Sequence, residues 1–207
     1  MKYILVILGL LSSFTSYSQT NAITEEGIEV ILFDDNSWTF KNKNSNENKE
    51  IRINKSSYKY GKSSTFLVKS SSIPIGIYIN PTKWSFQKEG DSDTEYTFTL
   101  KGEDLYGQII NEKIEVPLEN MKSIALDNFK NVAPDAEIIN QEYRYVNNLK
   151  ILMLHMEGKS QGVSFFFYGY YYSNENGTTQ LVAYSSKPLF DSYYGDIQEL
   201  LNGIVKL

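Results

Sequence analysis

The stretch FFFYGYYYSNENG, residues 165–177, carries seven aromatic residues in its first eight positions and then turns polar. Side chains alternate between the two faces of a strand, so such a run supplies aromatic rings to both faces of a sheet. One face takes Val163, Phe165, Phe167, Gly169 and Tyr171, and the other takes Ser164, Phe166, Tyr168, Tyr170 and Tyr172. The pattern predicts a core on the Phe165 and Phe167 face and an amphipathic face opposite, where Tyr170 and Tyr172 approach solvent.

The segment before this run predicts the strand that pairs with it. A tight hairpin through residues 158–162, with Lys159 and Ser160 at its tip, would place Leu154 opposite Phe165. One face of that pair is then fully apolar, which favours a buried position in a sheet.

The segment after the run carries a second turn signal. The pair Asn176-Gly177 is typical of a type I′ turn, because this turn needs positive φ at both central residues. A two-residue loop at this pair predicts that Tyr184 lies over Gly169, and aromatic rings are known to cover strand glycines in this way.

Charge argues against two other uses of an aromatic run. A base-stacking platform needs interleaved basic residues, and residues 165–172 contain none. The net charge is −5 for the whole chain and becomes −6 without residues 1–18, whose only charged side chain is Lys2. We therefore expect no nucleic-acid partner, since such binding depends on Lys and Arg displacing counterions, and no attraction to anionic lipid.

The first eighteen residues have the order of a secretory signal peptide. Lys2 forms a short basic head, an apolar run follows over residues 4–11, and Ser16 and Ser18 supply small side chains at the −3 and −1 positions of a cut before Gln19. The apolar run is too short to span a bilayer, and no longer one follows, so we expect export to the periplasm or medium without stable membrane insertion. The absence of cysteine excludes a lipoprotein anchor and disulfides.

The rest of the chain divides into three predicted parts. Residues 24–40 read as two apolar runs around the turn-forming residues 34–37, which predicts a small β-hairpin. Residues 41–57 are predicted to be a flexible linker, because residues 41–50 (KNKNSNENKE) offer nothing apolar to bury. Residues 58–207 form the predicted main domain.

Strands dominate this domain, and two helical patterns interrupt them. The predicted strands are residues 65–69, 75–79, 84–87, 94–101, 105–116, 137–145, 149–157, 163–172 and 178–186. A helix is predicted from Pro117, with an apolar face of Leu118, Met121, Ile124, Ala125, Asn128, Phe129 and Val132. A second helix is predicted from near Pro188, burying Phe190, Tyr193, Tyr194, Ile197, Leu200, Leu201 and Ile204.

His155, the only histidine, suggests one catalytic alternative. The predicted hairpin would set it opposite Ser164, with Glu157 on the same face. A nucleophile elbow, however, needs G-x-S-x-G at a strand-to-helix turn, and Ser164 lies within a strand and lacks the second glycine. We therefore predict an ordinary cross-strand contact and no catalytic residue.

Metal and phosphate sites have little support in the sequence. One histidine and no cysteine exclude the usual zinc ligand sets. Asp91, Asp93 and Glu95 alternate in GDSDTE, residues 90–95, but the spacing does not match a calcium-binding EF-hand loop, and a solvated turn is predicted. Glycine-rich phosphate loops are absent, so no cofactor is expected.

Several longer strings resemble a known fold. They are NPTKWSF at residues 80–86, YGQIINEKIEVPLENM at residues 106–121 and the segment from residue 169 to residue 204. Together they resemble the PsbP/Mog1-like fold, most nearly uncharacterised exported bacterial proteins of that type. The resemblance implies an α+β domain in which helices sandwich an antiparallel sheet. It also implies a non-catalytic role, since one named relative supports a photosynthetic complex and the other binds a small GTPase.

These observations lead to three functional hypotheses. The first is an exported, non-catalytic protein-interaction or accessory module of the bacterial cell envelope. The alternative is a binder or carrier of a small apolar or glycan ligand, held on the face of Phe166, Tyr168, Tyr170 and Tyr172. The third is a hydrolase that uses a spatial pair of carboxylates, which sequence alone does not reveal.

Overall fold

Eight strands form the central sheet of the chain, in the order β4-β10-β11-β12-β13-β9-β8-β7. The computed structural model describes residues 19–24, 29–33, 38–40, 51–90 and 93–207. The strands are Gln19–Ile23 (β1), Glu29–Phe33 (β2), Trp38–Phe40 (β3), Ile53–Tyr58 (β4), Phe66–Lys69 (β5), Ile75–Ile79 (β6), Trp84–Lys88 (β7), Thr94–Leu100 (β8), Tyr106–Glu112 (β9), Glu137–Val146 (β10), Leu149–Ser160 (β11), Val163–Asn174 (β12), Gly177–Ser186 (β13) and Ile204–Lys206 (β14). The helices are Leu118–Lys130 (α1) and Phe190–Leu201 (α2), the latter preceded by a 3₁₀ turn over Lys187–Leu189.

Neighbouring strands of the central sheet run antiparallel, except that β4 lies parallel to β10 at its edge. A second sheet of three strands, in the order β14-β6-β5, lies with α2 on one face of the central sheet, and α1 lies on the other. We call these the α2 face and the α1 face. The prediction of an α+β fold with a sheet between helices is confirmed.

The meander from β10 to β12 depends on two tight turns. Asn147 and Asn148 have φ of 47° and 69° between β10 and β11, and Gln161 and Gly162 have φ of 50° and 83° between β11 and β12. Positive φ at both central residues is the mark of the type I′ turn, whose twist matches that of the strands it joins. These turns fix the register of the three strands.

The turn between β11 and β12 lies two residues later than predicted. Ser160 pairs with Val163, so the tip is Gln161-Gly162 instead of Lys159-Ser160. Leu154 consequently lies opposite Gly169, four residues from its predicted partner Phe165. The displacement is an even number of residues, so each side chain keeps its predicted face.

The turn between β12 and β13 is also displaced. Asn174 pairs with Gly177, so Tyr184 lies opposite Phe167 and does not cover Gly169. The ring of Tyr171, on the same strand, takes that place: a Cβ atom added to Gly169 would lie 2.8 Å from it. The predicted aromatic cover therefore exists, but it comes from the next residue on the same face.

The two helices begin where the sequence predicts, but their buried faces are narrower. In α1 the buried residues are Met121, Ala125 and Phe129, while Asn128 and Val132 are exposed. In α2 they are Tyr193, Ile197, Leu200 and Leu201, while Phe190 is half-buried and Tyr194 is 42% exposed. Ile204 is buried, but it lies beyond the helix in β14.

The start of the main domain also differs from the prediction. Ile53–Tyr58 forms β4, so the predicted linker over residues 41–57 includes a strand of the central sheet. The predicted hairpin over residues 24–40 contributes the paired strands β2 and β3, and Gln19–Ile23 adds an unpredicted third strand, β1. Residues 1–18, 34–37 and 41–50 lie outside the described residues, and these include the predicted signal peptide, the hairpin turn and the first part of the linker. Where the chain is described, no helix combines the length and apolarity needed to cross a membrane.

Candidate functional site

The face predicted to bind a ligand or partner is buried. Phe166, Tyr168, Tyr170 and Tyr172 are 0%, 3%, 0% and 9% exposed and belong to the core beneath α2. The prediction that Tyr170 and Tyr172 approach solvent is therefore wrong. Phe165 and Phe167, predicted as core, are only half-buried. Alternation along a strand shows which residues share a face, but it does not show which face a later helix covers.

Two of these tyrosines bind a buried arginine. Arg144 on β10 is 4% exposed and donates to the hydroxyls of Tyr170 at 2.8 Å and Tyr168 at 2.9 Å. It also donates to Gln198 of α2 at 3.2 Å, and the ring of Tyr58 lies 4.8 Å from its guanidinium carbon. Arg144 thereby connects β4, β10, β12 and α2.

A buried carboxylate balances this charge. Glu142 is 2% exposed and accepts hydrogen bonds from Arg144 at 2.5 Å, Arg52 at 2.7 Å and Asn54 at 2.9 Å. Burial alone would raise the pKa of Glu142, but the hydrogen bonds from Asn54, Arg144 and Arg52 outweigh it and hold that pKa below its usual value. Burial raises the pKa of Tyr170 to about 12, so its hydroxyl stays protonated at neutral pH. The Glu142 carboxylate, the Arg144 guanidinium and both tyrosine hydroxyls have partners, while the amide nitrogen of Gln198 is buried without one. A network in which nearly every group is paired is typical of a structural role.

The serine, histidine and acid suggested by the sequence do not converge. His155 lies opposite Tyr168, and Ser164 lies opposite Lys159. The imidazole stacks on Phe190 with 4.3 Å between ring centroids, and its Nε2 lies 3.6 Å from Glu157. Burial lowers the pKa of His155, so the ring is neutral at physiological pH. Because β11 and β12 pair in a different register from the predicted one, His155 and Ser164 are not cross-strand neighbours.

The acidic stretch at residues 90–95 differs from the predicted solvated turn at its last residue. Glu95 accepts hydrogen bonds from the backbone and side chain of Ser71, from Ser70 at 2.7 Å and from Asn111 at 2.8 Å. These bonds outweigh the effect of burial and lower its pKa. Glu95 thus fixes the loop before β6, while Asp91 lies outside the described residues. In the part of the chain that is described, acidic and histidine side chains form no group of three that could hold a metal ion.

The α1 face carries an accessible cavity of about 130 Å³, which we call the α1–β9 groove. Its wall is formed by Ala125, Asn128, Phe129 and Val132, from α1 and the residues that follow it. Its floor is formed by Met156, Phe167, Tyr171, Gln180, Val182, Gln108 and Ile110. The aromatic run therefore does line a cavity, through its odd-numbered residues.

Polar groups without partners open into this groove. Gln180 is 8% exposed and Tyr171 is 2% exposed, yet neither side chain forms a hydrogen bond with any described residue. The same holds for the carboxamides of Gln108 and Asn128 at the mouth of the groove. None of these four residues has a polar atom among the fully buried, unpaired atoms of the described chain, so the groove leaves their polar groups open to water or to a ligand.

A row of aromatic rings leads out of the groove across the sheet. Phe129 lies 4.1 Å from Phe167, Phe167 lies 5.2 Å from Tyr184, and Tyr184 lies 5.8 Å from Tyr106, measured between ring centroids. The row follows direct cross-strand pairs, Phe167 with Tyr184 and Tyr184 with Tyr106. It ends at Tyr106, which is 38% exposed.

Two further cavities lie outside the groove. One of about 490 Å³ separates β1 and β2 from the outer side of α1, and includes Ile23, Ile124 and Asn131. The other, of about 200 Å³, lies between Glu137, Glu157 and Lys187. Lys187 already pairs with Glu157 there, so the second cavity holds an internal ion pair.

Comparison with known proteins gives information on the fold alone. No family model and no curated protein matches the chain. The solution structure of cyanobacterial PsbP (CyanoP) from Synechocystis sp. PCC 6803 superposes with a TM-score of 0.53 at 13% identity, covering 71% of this chain and 95% of that one. The chain has a PsbP-like fold. LpqN, involved in cell envelope biogenesis of Mycobacterium tuberculosis, is a more distant match, with a TM-score of 0.47 and 10% identity over 68% of this chain and 88% of its own.

The polar residues of the groove were not predicted from the sequence. Gln180 directly precedes the apolar residues 181–184 in TTQLVAY, and Gln108 directly precedes Ile109 and Ile110 in YGQII. A carboxamide on the inward side of a strand is the one signal that could have identified the groove. The carboxamide lines a groove only because helix α1 lies over that part of the sheet. Strand-pairing patterns do not predict where a helix packs.

Proposed function

We propose that this chain is a non-catalytic binding module exported to the bacterial cell envelope, and that its ligand enters the α1–β9 groove. Export rests on the signal-peptide pattern of residues 1–18. The observation that carries the binding function is Gln180, a residue that is only 8% exposed, lines the groove and has no hydrogen-bond partner among the described residues.

Two unpaired polar groups at this position support a ligand. The polar atoms of Gln180 and Tyr171 have no hydrogen-bond partner among the described residues and are not fully buried, so they are open to water or to a ligand. Gln180 and Tyr171 lie side by side on paired strands, Tyr171 directly opposite Gln180. A ligand that bonds to both groups would replace water at adjacent donors and acceptors, which makes the pair suitable for recognition.

Two neighbouring exposed residues provide the test. Val132 is 57% exposed at the rim of the groove, and Asn131 is exposed beside the separate cavity near β1. Tryptophan at residue 132 should obstruct the groove, whereas tryptophan at residue 131 should not. Both sites are exposed, so neither change should affect folding appreciably.

The experiment uses the tagged chain from residue 19 onward and cell-envelope extract of the source bacterium. We expect material retained by the unaltered chain and by Asn131→Trp, measured by mass spectrometry, to be lost from Val132→Trp. Equal retention by all three chains would contradict the groove as the site. Loss from Asn131→Trp alone would move the site to the cavity near β1.

A second candidate function, docking of a protein partner, is favoured by an exposed aromatic pair. Phe66 on β5 and Phe86 on β7 are 45% and 41% exposed, and their ring centroids are 5.4 Å apart. Both strands lie at sheet edges, where unpaired backbone groups can accept a strand from another protein. Phe86→Arg should then abolish capture of a protein from the same extract, while Val132→Trp should leave that capture unchanged.

A further inference from the structure

We propose that the ligand of the α1–β9 groove is a neutral sugar residue of a glycan, bound by the Gln180 carboxamide and the Tyr171 hydroxyl. This inference rests on the proposed binding function and adds the chemical class of the ligand. Three properties of the groove lead to it: its neutrality, its mixture of apolar and hydrogen-bonding surface, and its position on the face of a sheet.

The lining of the groove is uncharged. Its residues are apolar, aromatic or carboxamide side chains, although 22% of the residues in the chain are charged. The only ionisable group among them is the Tyr171 hydroxyl, and burial raises its pKa, so it stays neutral. An ionic ligand would therefore lose its hydration without meeting an opposite charge, whereas a neutral one would not.

The polar and apolar parts of the lining suit a sugar ring. Phe129, Phe167 and Val182 offer apolar surface, and sugar rings present C–H groups to such surfaces. Each carboxamide offers a donor and an acceptor together, which can bind two adjacent hydroxyls of one ring. The cavity of about 130 Å³ has room for roughly four water molecules, so it would hold one ring or part of one.

A peptide is less suited to this position. Peptides bind sheets chiefly by adding a strand at an edge, where backbone groups are unpaired. The strands beneath the groove, β12, β13 and β9, are each paired on both sides. The floor therefore offers a peptide no backbone ladder to extend.

The surface beside the groove allows a longer glycan to continue. From β9 to β7 the α1 face presents Tyr106, Thr99 and Ser85 in one cross-strand row, and Gln108, Thr97 and Gln87 in the next. Carboxylates occur only at the margins of these rows in the described chain, where Glu89 accepts a bond from Thr97 and Asp104 one from Tyr106. The three strand spacings from β13 to β7 span about 14 Å, so we expect affinity to increase with glycan length.

The test measures binding to glycans of known composition. The probes are malto-, cello-, xylo- and chito-oligosaccharides of two to six residues, with polygalacturonate as the charged comparison, and titration calorimetry gives Kd. We expect at least one neutral series to bind, more tightly as its length grows, and polygalacturonate not to bind. Tyr171→Phe and Gln180→Met should each raise Kd about fivefold to tenfold, since each removes one hydrogen-bonding group. The matched control Asn131→Leu, which removes an exposed carboxamide outside the groove and its neighbouring rows, should bind nearly as the unaltered chain does.

The outcomes separate this inference from the proposed function. Failure of every neutral series, while Val132→Trp still loses envelope material, would refute the sugar and keep the binding function. Recovery of a peptide as the groove-dependent envelope material would likewise refute the sugar and keep the binding function. Neutral-glycan binding that Tyr171→Phe and Gln180→Met leave unchanged would place the glycan elsewhere and refute the inference. Absence of glycan binding together with absence of groove-dependent capture would refute both.

Discussion

Arg144 and Arg52 bind the same carboxylate, that of Glu142, but the two arginine side chains differ in their exposure to solvent. The side chain of Arg144 is 5% exposed and that of Arg52 is 75% exposed. Arg144→Met would leave a buried carboxylate short of a cation and two tyrosine hydroxyls without their donor, so it should lower the free energy of unfolding by about 3–5 kcal/mol. Arg52→Met should cost about 1 kcal/mol or less, because exposed ion pairs contribute little. Urea unfolding measures both, and equal losses would show that Arg144 is not essential to the network.

His155 should make stability depend on pH near neutrality. Burial chiefly lowers the pKa of His155, the Glu157 carboxylate raises it in part and the Lys187 ammonium lowers it further, so the folded pKa lies below 6.5. The unfolded chain then binds more protons below pH 6.5 than the folded chain does, and stability falls as the pH falls through that value. His155→Phe keeps the ring stacked on Phe190 and removes the titration. Melting curves between pH 7.5 and 5 should therefore decline less for the variant, and parallel declines would contradict this assignment.

Tyr171→Phe should weaken ligand binding without lowering the stability of the fold. Tyr171 is 2% exposed and its hydroxyl has no partner among the described residues, so its removal should leave the free energy of unfolding nearly unchanged. Chemical denaturation gives this value directly. A loss of 1 kcal/mol or more would mean that the hydroxyl has a structural partner and is not reserved for a ligand.

At the scale of elements, strand β12 reverses the predicted order of importance of two neighbouring phenylalanines. Phe166 is fully buried beneath α2, and Phe165 is half-buried on the α1 face. Phe166→Ala should therefore lower the free energy of unfolding by about 3–5 kcal/mol, the range for a core aromatic. Phe165→Ala should cost less because part of the Phe165 surface already meets water. Thermal melts of the two variants decide between this order and the one that the sequence suggests.

Strand and helix positions could be predicted from sequence because they depend on local patterns. The alternation in β10 to β13 and the 3.6-residue spacing after Pro117 locate these elements to within a few residues. Register was harder to predict: Lys159-Ser160 and Gln161-Gly162 are both plausible tips, and the choice depends on which pair adopts positive φ. The groove could not be predicted, because Gln180 and Phe129 meet only after α1 folds over the sheet.

At the scale of the whole molecule, β4 decides where the domain begins. A chain starting at residue 51 keeps Arg52, Asn54 and Tyr58 against β10, whereas a chain starting at residue 59 leaves Glu142 with Arg144 as its only described donor. We expect the shorter chain to melt roughly 10 °C below the longer one, given the several kcal/mol involved. Equal melting temperatures would mean that residues 51–57 do not stabilise the domain, as the prediction of a linker through residue 57 implies.

The parallel pairing of β4 with β10 also bears on the order in which the molecule assembles. Strands β10 to β13 follow one another through two-residue turns, whereas Arg52 and Glu142 are separated by 90 positions in the chain. Closing so long a loop costs more entropy than closing a hairpin, so β4 should dock after the meander has formed. As an edge strand of the central sheet, β4 pairs with β10 alone, so its amides should exchange with solvent deuterium through a local opening that leaves β11 to β13 protected. The carboxylate of Glu142 would then meet water many times during the lifetime of a single folded molecule.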